Sequence, residues 1–428
     1  MNLKTGAIVL FALTYILLLV FPRKKSFIAA GSALVFIATG IVPYYELPNV
    51  IDWNVILMIA GTMGIVSLFI ESRMPALIGD WIVKKTPNIK WVIILLSVIA
   101  GLISAFVDNV ATVLIIAPIA INLFKRLKIE IIPIAIIAIS LMSNLQGAAT
   151  MVGDTTSIML AGRMGMNFID FFAYQGKMGM FWVVQISSAA AVVILFMLLK
   201  KYDKRVDVVP EKAVINSFFP TFLLIGLILA LIAASFIPEG SKPGILNGLI
   251  CAGLMIVGFI HEAVTKKGLK HFVDNAKEID WQTLLLLTGM FVVVGGIVQA
   301  GVIDDISNFF LSFGGSNLFV IYSLIVWFSV LVSAFVDNIP YVATMLPVVA
   351  ALSAAMGLNS PILYFGLLSG ATLGGNLTPI GASANITALG LLRKEGRDVS
   401  AKDFMKASVP FTLTAVTVGY VLIWLIWA

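Results

Sequence analysis

The chain has 428 residues, of which 60% are hydrophobic and 12% are charged, with a formal net charge of +6. Soluble domains carry about 25% charged residues. This composition therefore excludes a soluble fold and predicts an all-α integral membrane protein. The single cysteine, Cys251, excludes an internal disulfide and provides no metal site by itself.

Apolar stretches long enough to cross the bilayer follow one another along the chain, since a spanning helix needs about 20 apolar residues. Spans are predicted at 5–21, 26–43, 54–72, 131–162, 178–199, 217–236, 244–262, 282–300, 361–392 and 405–427. Two further apolar segments, 91–125 and 317–356, are predicted to be re-entrant hairpins that enter and leave on the same side. The first span is not read as a signal peptide, because no small-residue cleavage site follows it.

The basic residues sort onto one face of this arrangement. Of 28 lysines and arginines, 24 fall in the loops 23–25, 73–90, 125–128, 200–212, 266–277 and 393–406. The positive-inside rule makes that face cytoplasmic, which places both termini outside the plasma (inner) membrane. The positive charge then requires no nucleic acid as a partner.

An internal repeat relates the two halves of the chain. The hexapeptide SAFVDN at 104–109 recurs at 333–338, the dipeptide DW at 52–53 recurs at 280–281, and the pair Thr150 and Gly153 recurs as Thr378 and Gly381. Each half is predicted to have five crossings and one hairpin. Because five is an odd number, the second half enters the membrane with the opposite orientation. Inverted repeats are typical of secondary transporters. The predicted units are 1–200, a cytoplasmic linker 201–216, and the inverted repeat 217–428.

The dipeptides Asp108-Asn109 and Asp337-Asn338 lie midway along the two hairpins. The arms beside Asp108 are short for a crossing of about 20 residues, so the turn is predicted at membrane depth, where irregular backbone must line a cavity or be buried in protein. A carboxylate there indicates function. The alternative is two full-length helix pairs, each with an Asp-Asn turn at the surface.

Two segments rich in glycine and small polar residues, 146–157 and 374–385, are predicted to break helices. Glycine permits backbone that exposes carbonyls, and Thr, Ser and Asn oxygens are hard ligands. The half-helices that begin near Thr155 and Ser383 direct N–H groups into the breaks, which suits an anion. The alternative is close helix packing through small residues. The halves differ, because Asp154 has Ala382 as its counterpart.

These features predict a binding site with no catalytic residue, no organic cofactor and no structural metal, but with H⁺ or Na⁺ as coupling ion. Proton coupling is assigned to Asp108, Asp154 and Asp337, and Na⁺ is expected at the hairpin tips and helix breaks. The predicted substrate- or ion-binding residues are Asp108, Asn109, Thr112, Gly153, Asp154, Thr155, Thr156, Ser157, Asp337, Asn338, Thr344, Asn376, Thr378, Gly381, Ser383 and Asn385.

Three motifs carry a resemblance to a known family: SAFVDNVATVLIIAPI at 104–119, SAFVDNIPYVATMLPV at 333–348 and GGNLTPIGASAN at 374–385. They resemble the ion transporter superfamily, in the branch of arsenite permeases, NhaD-type antiporters and the melanosomal P protein, which shares the citrate-transporter-like fold. The resemblance implies hairpin tips that meet the helix breaks, a scaffold that forms a homodimer, and a mobile core. The segment GDTTS at 153–157 departs from the Gly-Asp-Pro-Pro-Asn of that branch.

The residues at the two hairpin tips indicate which class of substrate the site favours. Dicarboxylate carriers of the superfamily resemble this chain but have Ser-Asn at both tips, and the two extra carboxylates here disfavour a polyanion. A desolvated carboxyl group readily exchanges protons. The predicted function is proton-coupled efflux of arsenite or antimonite; the alternatives are Na⁺/H⁺ antiport and, third, symport of a di- or tricarboxylate or another anion. A channel would need a continuous pore, whereas the two near-symmetric hairpins indicate a site that is closed from each side in turn. The two motifs of an intramembrane aspartyl protease differ in kind, whereas Asp108 and Asp337 lie in identical hexapeptides, so an enzyme is not predicted.

Overall fold

The computed structural model describes residues 3–74, 77, 88–126, 132–203, 215–238, 241–315 and 317–428. These residues are mostly helical, with one small hairpin of two-residue strands, β1 Ala173–Tyr174 and β2 Lys177–Met178. The central part of the predicted linker, 204–214, lies outside the described residues, as do most of 75–87 and all of 127–131.

The helices follow the predicted apolar segments. Before the linker they are α1 Leu3–Val20, α2 Lys25–Ala38, α3 Leu47–Val50, α4 Trp53–Glu71, α5 Ile89–Ser104, α6 Asn109–Arg126, α7 Ile132–Gly147, α8 Thr155–Met164 and α9 Met180–Leu198. After it they are α10 Phe219–Ser235, α11 Leu246–Thr265, α12 Leu269–Lys277, α13 Trp281–Gln299, α14 Val302–Gly314, α15 Leu318–Ser333, α16 Asn338–Ala355, α17 Ile362–Gly374, α18 Ser383–Lys394 and α19 Ala401–Trp427. In the described part of the chain, 7 helices are long and apolar enough to cross a membrane. The prediction of an all-α membrane protein is confirmed.

The helix starts repeat along the chain. Asp52 and Asp280, which are equivalent positions of the repeat, each accept a hydrogen bond from a backbone N–H in the first turn of α4 or α13, at 3.0 and 3.1 Å. Asn88 and Asn317 cap α5 and α15 in the same way. Such side chains satisfy amide groups that a helix leaves unpaired at its start, so the duplicated sequence places corresponding helices at corresponding positions.

The two halves interlock through reciprocal helix pairs. Helix α2 packs on α13, and α11 packs on α4. At each crossing a glycine lets the backbones touch: a Cβ on Gly289 would lie 2.6 Å from the carbonyl carbon of Ala29, and a Cβ on Gly61 would overlap the backbone of Cys251. The corresponding helices α9 and α19 also pack on each other. An approximate two-fold relation between the halves produces such an exchange, while the boundaries 1–200 and 217–428 stay predictions.

Ion pairs join helix ends that the charge pattern places on one face. The amine of Lys266 lies 2.7 Å from Glu71 Oε1, and Lys125 pairs with Glu395. At the opposite ends of the spans, Lys4 lies 2.7 Å from Asp305 Oδ2. These contacts agree with the predicted arrangement of loops. Which face is cytoplasmic stays a prediction, and so does the re-entrant course of the hairpins.

Three helices in the described part of the chain were not predicted from the sequence: the four-residue α3 and the longer α12 and α14. α12 and α14 lie between spans, and each combines exposed apolar side chains with charged ones. Their apolar residues are too few for a crossing, because a span needs about 20. Apolar length alone therefore does not predict them.

Candidate functional site

The turn of the first hairpin, between α5 and α6, rests on the break between α7 and α8. The hydroxyl of Thr150 donates to the carbonyl of Ala105 in that turn. Gly153 also lies against this turn and against the last residue of α7, since a Cβ on it would lie 2.8 Å from Ala105 O and 2.7 Å from Gly147 O. At the tip, Oδ1 of Asp108 accepts from the N–H groups of residues 110 and 111, at 3.0 and 3.1 Å. The predicted helix break and hairpin tip are therefore in direct contact.

The second hairpin, between α15 and α16, repeats this contact with the break between α17 and α18. Thr378 donates to the carbonyl of Ala334, and a Cβ on Gly381 would lie 2.8 Å from that oxygen and 2.6 Å from Gly375 O. Asp337 caps α16 through the N–H of residue 339, at 3.1 Å. Each tip thus lies against the break of its own half, as the resemblance implied.

Asp154 lies between the two halves and is only 4% exposed. Its Oδ1 accepts from the N–H of Thr155 at 2.8 Å, and its Oδ2 accepts from the hydroxyl of Thr156 at 2.7 Å. The amide nitrogen of Asn338, from the tip of the other half, lies 3.4 Å from Oδ2. The carboxylate without a counterpart in the repeat therefore occupies the junction of the halves.

Two residues that the sequence analysis did not select complete this junction. Asn144 accepts from the amide of Asn109 at 3.1 Å and donates to the carbonyl of Thr372 at 2.7 Å. The hydroxyls of Thr156 and Thr372 are 2.9 Å apart. A hydroxyl has one proton, so Thr156 donating to the carboxylate leaves Thr372 to donate to Thr156. We define the central cluster as Asn109, Asn144, Asp154, Thr156, Asn338 and Thr372.

The sequence contains a signal for the two missed residues. Asn144 and Thr372 are polar positions inside apolar helices, and their separation along the chain equals the offset of the repeat. Residues at equivalent positions meet only where an approximate two-fold axis passes between them. Their contact therefore marks the centre of the site.

Further predicted residues lie in the walls of the two breaks. Asn385 directs its amide nitrogen at Gly375 O and Thr378 O, both at 3.3 Å, while Asn376 donates to Leu141 O at 2.9 Å. Ser157 donates to a carbonyl across the first break at 3.2 Å. Among the described residues, Oδ1 of Asn385 and the hydroxyl of Thr112 are buried without a hydrogen-bond partner. Both oxygen atoms thus keep an unused capacity to accept a hydrogen bond.

The second tip carries an ion pair that the charge pattern did not predict. The sequence places Lys25 in a cytoplasmic basic loop, but its amine lies 2.5 Å from Oδ2 of Asp337. Ser383, at the start of α18, donates to the same oxygen at 3.0 Å. The long lysine stem lets Lys25, the first residue of α2, place its charge at a tip that belongs to the other half of the chain.

Thr344 lies within α16, away from the tip. Its hydroxyl contacts Pro340 O at 3.2 Å and the hydroxyl of Tyr15 at 2.5 Å. The structure thus joins Thr344 to α1 and not to the central cluster. In the described part of the chain, no group of three His, Cys, Asp or Glu side chains is arranged for a metal ion. Cys251 lies at the α11–α4 packing contact.

Comparisons with known proteins agree with this architecture. A family model described as citrate transporter matches residues 15–370. An uncharacterized transporter of Mycobacterium tuberculosis is 33% identical, over 98% of each chain. The human P protein is 27% identical over 87% of this chain and 54% of its own length.

Two solved transporter structures share the fold. The YdaH transporter of Alcanivorax borkumensis superposes with a TM-score of 0.59 at 14% identity, over 88% of this chain and 86% of its own. MtrF of Neisseria gonorrhoeae, described as one of a class of antimetabolite efflux pumps, gives 0.57 at 12% identity, over 91% and 83%. The family match and the relatives show a transporter and not an enzyme, and the chain belongs to the citrate transporter family of the ion transporter superfamily.

Proposed function

We propose that this chain exchanges protons for a small monovalent cation of the Na⁺ class at the central cluster. The observation that carries the proposal is the burial of Asp154 without a basic partner. Among the described residues, no lysine, arginine or histidine forms an ion pair with it. Within that part of the chain, the carboxylate receives only neutral donors, from Thr155, Thr156 and Asn338.

A buried carboxylate without a counter-charge is costly and binds a positive ion to offset that cost. A proton and a small hard cation both meet this need, and the hydroxyl and amide oxygens of the central cluster are suitable ligands for the cation. The two ions compete for one carboxylate. That competition supports an exchange in which one ion leaves as the other binds.

The position of the cluster supports alternating access. Asn109 comes from one hairpin tip and Asn338 from the other. In transporters with inverted repeats, a site between the repeats opens to one side or the other when one repeat rocks against its partner. We propose that Asp154 is exposed to each side in turn by this movement, in a homodimer in the plasma membrane.

A second candidate is proton-coupled efflux of arsenite or antimonite as the neutral trihydroxide. The observation that favours it is that two oxygens of the predicted site, Asn385 Oδ1 and Thr112 Oγ1, are buried without a hydrogen-bond partner among the described residues, since each would accept a hydroxyl proton of such a solute. Citrate, which the family description names, ranks third. Asp108 and Asp154 oppose a polyanion, and the ammonium of Lys25 is already paired.

The test is flux in proteoliposomes under an imposed pH gradient, with Na⁺, Li⁺, arsenite and citrate compared. We expect the gradient to drive Na⁺ or Li⁺ movement, and Asp154→Asn to abolish that coupling. Asp403→Asn, an exposed change at the start of α19, is the matched control and leaves coupling intact. Coupled flux of arsenite alone would establish the second candidate, and flux of citrate alone the third. Cation flux that survives Asp154→Asn with its proton coupling intact would refute the role of Asp154.

A further inference from the structure

The two hairpin tips have the same sequence but different electrostatic surroundings. At the second tip, Asp337 Oδ2 lies 2.5 Å from the amine of Lys25, and that amine lies 3.5 Å from the hydroxyl of Ser383. At the first tip, Asp108 forms no ion pair within the described residues, and its hydrogen bonds come from backbone N–H groups. An identical SAFVDN hexapeptide therefore has a resident positive charge in only one half.

The interlocked helices identify the position that corresponds to Lys25 in the other half. Ala29 contacts Gly289 at the crossing of α2 and α13, and Cys251 contacts Gly61 at the crossing of α11 and α4. The two glycines are equivalent positions of the repeat. Ala29 in α2 therefore corresponds to Cys251 in α11. One helical turn before Ala29 the chain has Lys25, whereas one turn before Cys251 it has Asn247, an uncharged buried amide. The second half therefore has no lysine at the equivalent place, and the first tip receives no such charge.

We propose that Lys25 is a tethered cation, which occupies the position that a second coupling ion would take at the Asp337 tip. This inference rests on the proposed cation exchange. A carboxylate, a serine hydroxyl and the nearby break form an oxygen-lined position that suits either an ammonium group or a small cation. Because Lys25 fills it, the wild-type chain binds one mobile cation, in the part of the site served by Asp108 and Asp154.

A purely structural ion pair would differ in a measurable way. If Lys25 only holds the second hairpin against α2, its removal weakens the fold and leaves the cation dependence unchanged. If Lys25 replaces an ion, Lys25→Met vacates a cation position beside an intact carboxylate. The variant then recovers stability and transport as the concentration of Na⁺ or Li⁺ rises.

The experiment measures Tm and transport of the full-length protein against Na⁺ and Li⁺, with choline chloride holding the ionic strength constant. The wild type is expected to saturate with a Hill coefficient of about 1, and Lys25→Met with a coefficient that approaches about 2 because a second site has been created. Lys25→Arg keeps the coefficient near about 1, since the positive charge remains. Lys24→Met, which removes an exposed positive charge one residue away, is the matched control and behaves as the wild type.

The outcomes separate the two proposals. A wild type that responds to neither cation refutes the proposed function. A wild type that responds, with a Lys25→Met variant of unchanged Hill coefficient, refutes only the tethered cation. A Lys25→Met variant that folds only when Na⁺ or Li⁺ is added supports the tethered cation. A variant that fails to fold at every cation concentration shows that Lys25 is structural and refutes the tethered cation.

Discussion

Gly381→Ala is expected to force the second hairpin turn away from its helix break and to stop transport. The added Cβ would lie 2.6 Å from Gly375 O, 2.6 Å from Ser333 O and 2.8 Å from Ala334 O. All three atoms belong to the backbone, so no side chain can turn away to make room. The hairpin turn and the break that faces it must therefore move apart.

The size of the effect follows from these distances. Ordinary contacts of a Cβ begin at 3.4 Å, so the backbone must shift by about 3.4 − 2.6 = 0.8 Å on two sides. Overpacking of a tightly packed position costs about 1–3 kcal/mol, and three backbone contacts place this variant near the upper end. A loss of about 3 kcal/mol lowers Tm by several degrees, since about 1 kcal/mol corresponds to about 2–4 °C in chains of about 150–250 residues.

The assay is thermal unfolding of the purified protein together with flux in proteoliposomes. Gly390→Ala is the matched control, because a Cβ there meets nothing within 4 Å and lies in the helix that follows the same break. The control should be neutral or more stable by about 1 kcal/mol, from helix propensity. A Gly381→Ala protein with the Tm and flux of the wild type would refute the close contact between tip and break.

Three further predictions address the cluster, the second break and the topology. Thr372→Val removes the donor to the hydroxyl that binds the central carboxylate, so transport should fall about 2–10-fold for a net hydrogen bond of about 0.5–1.5 kcal/mol; Thr412→Val removes a buried hydroxyl without a described partner and should change little. If the chain carries arsenite or antimonite, Asn385→Ala should weaken the affinity for that solute equally at every pH, by about 1–3 kcal/mol or about 5–150-fold, and a loss confined to one pH range would contradict a neutral ligand role. In a cysteine-free background, a cysteine at position Lys267 should react from the cytoplasm and one at Ser241 from outside. Labelling of both from one side would invalidate the predicted topology.

The sequence determined the features that depend on short stretches of chain. Hydrophobic length alone indicated the membrane and most of the helices. The aspartates before α4, α13 and α16 cap their helices within a few residues, because an Asp or Asn before a helix satisfies its first amide groups locally. Gly153 and Gly381 likewise marked the breaks from composition.

The tertiary structure decided which of these features meet. Asn144 and Thr372 became part of the site only because two helices that are far apart in sequence cross at the junction of the halves. The sequence showed Lys25 as one basic residue among others near a helix end, and its partner lies in the other half of the chain. Contacts of this kind arise from packing between distant segments. Hydrophobic periodicity specifies that a helix has neighbours, whereas the shape and depth of the packed helices determine which neighbour each polar side chain finds.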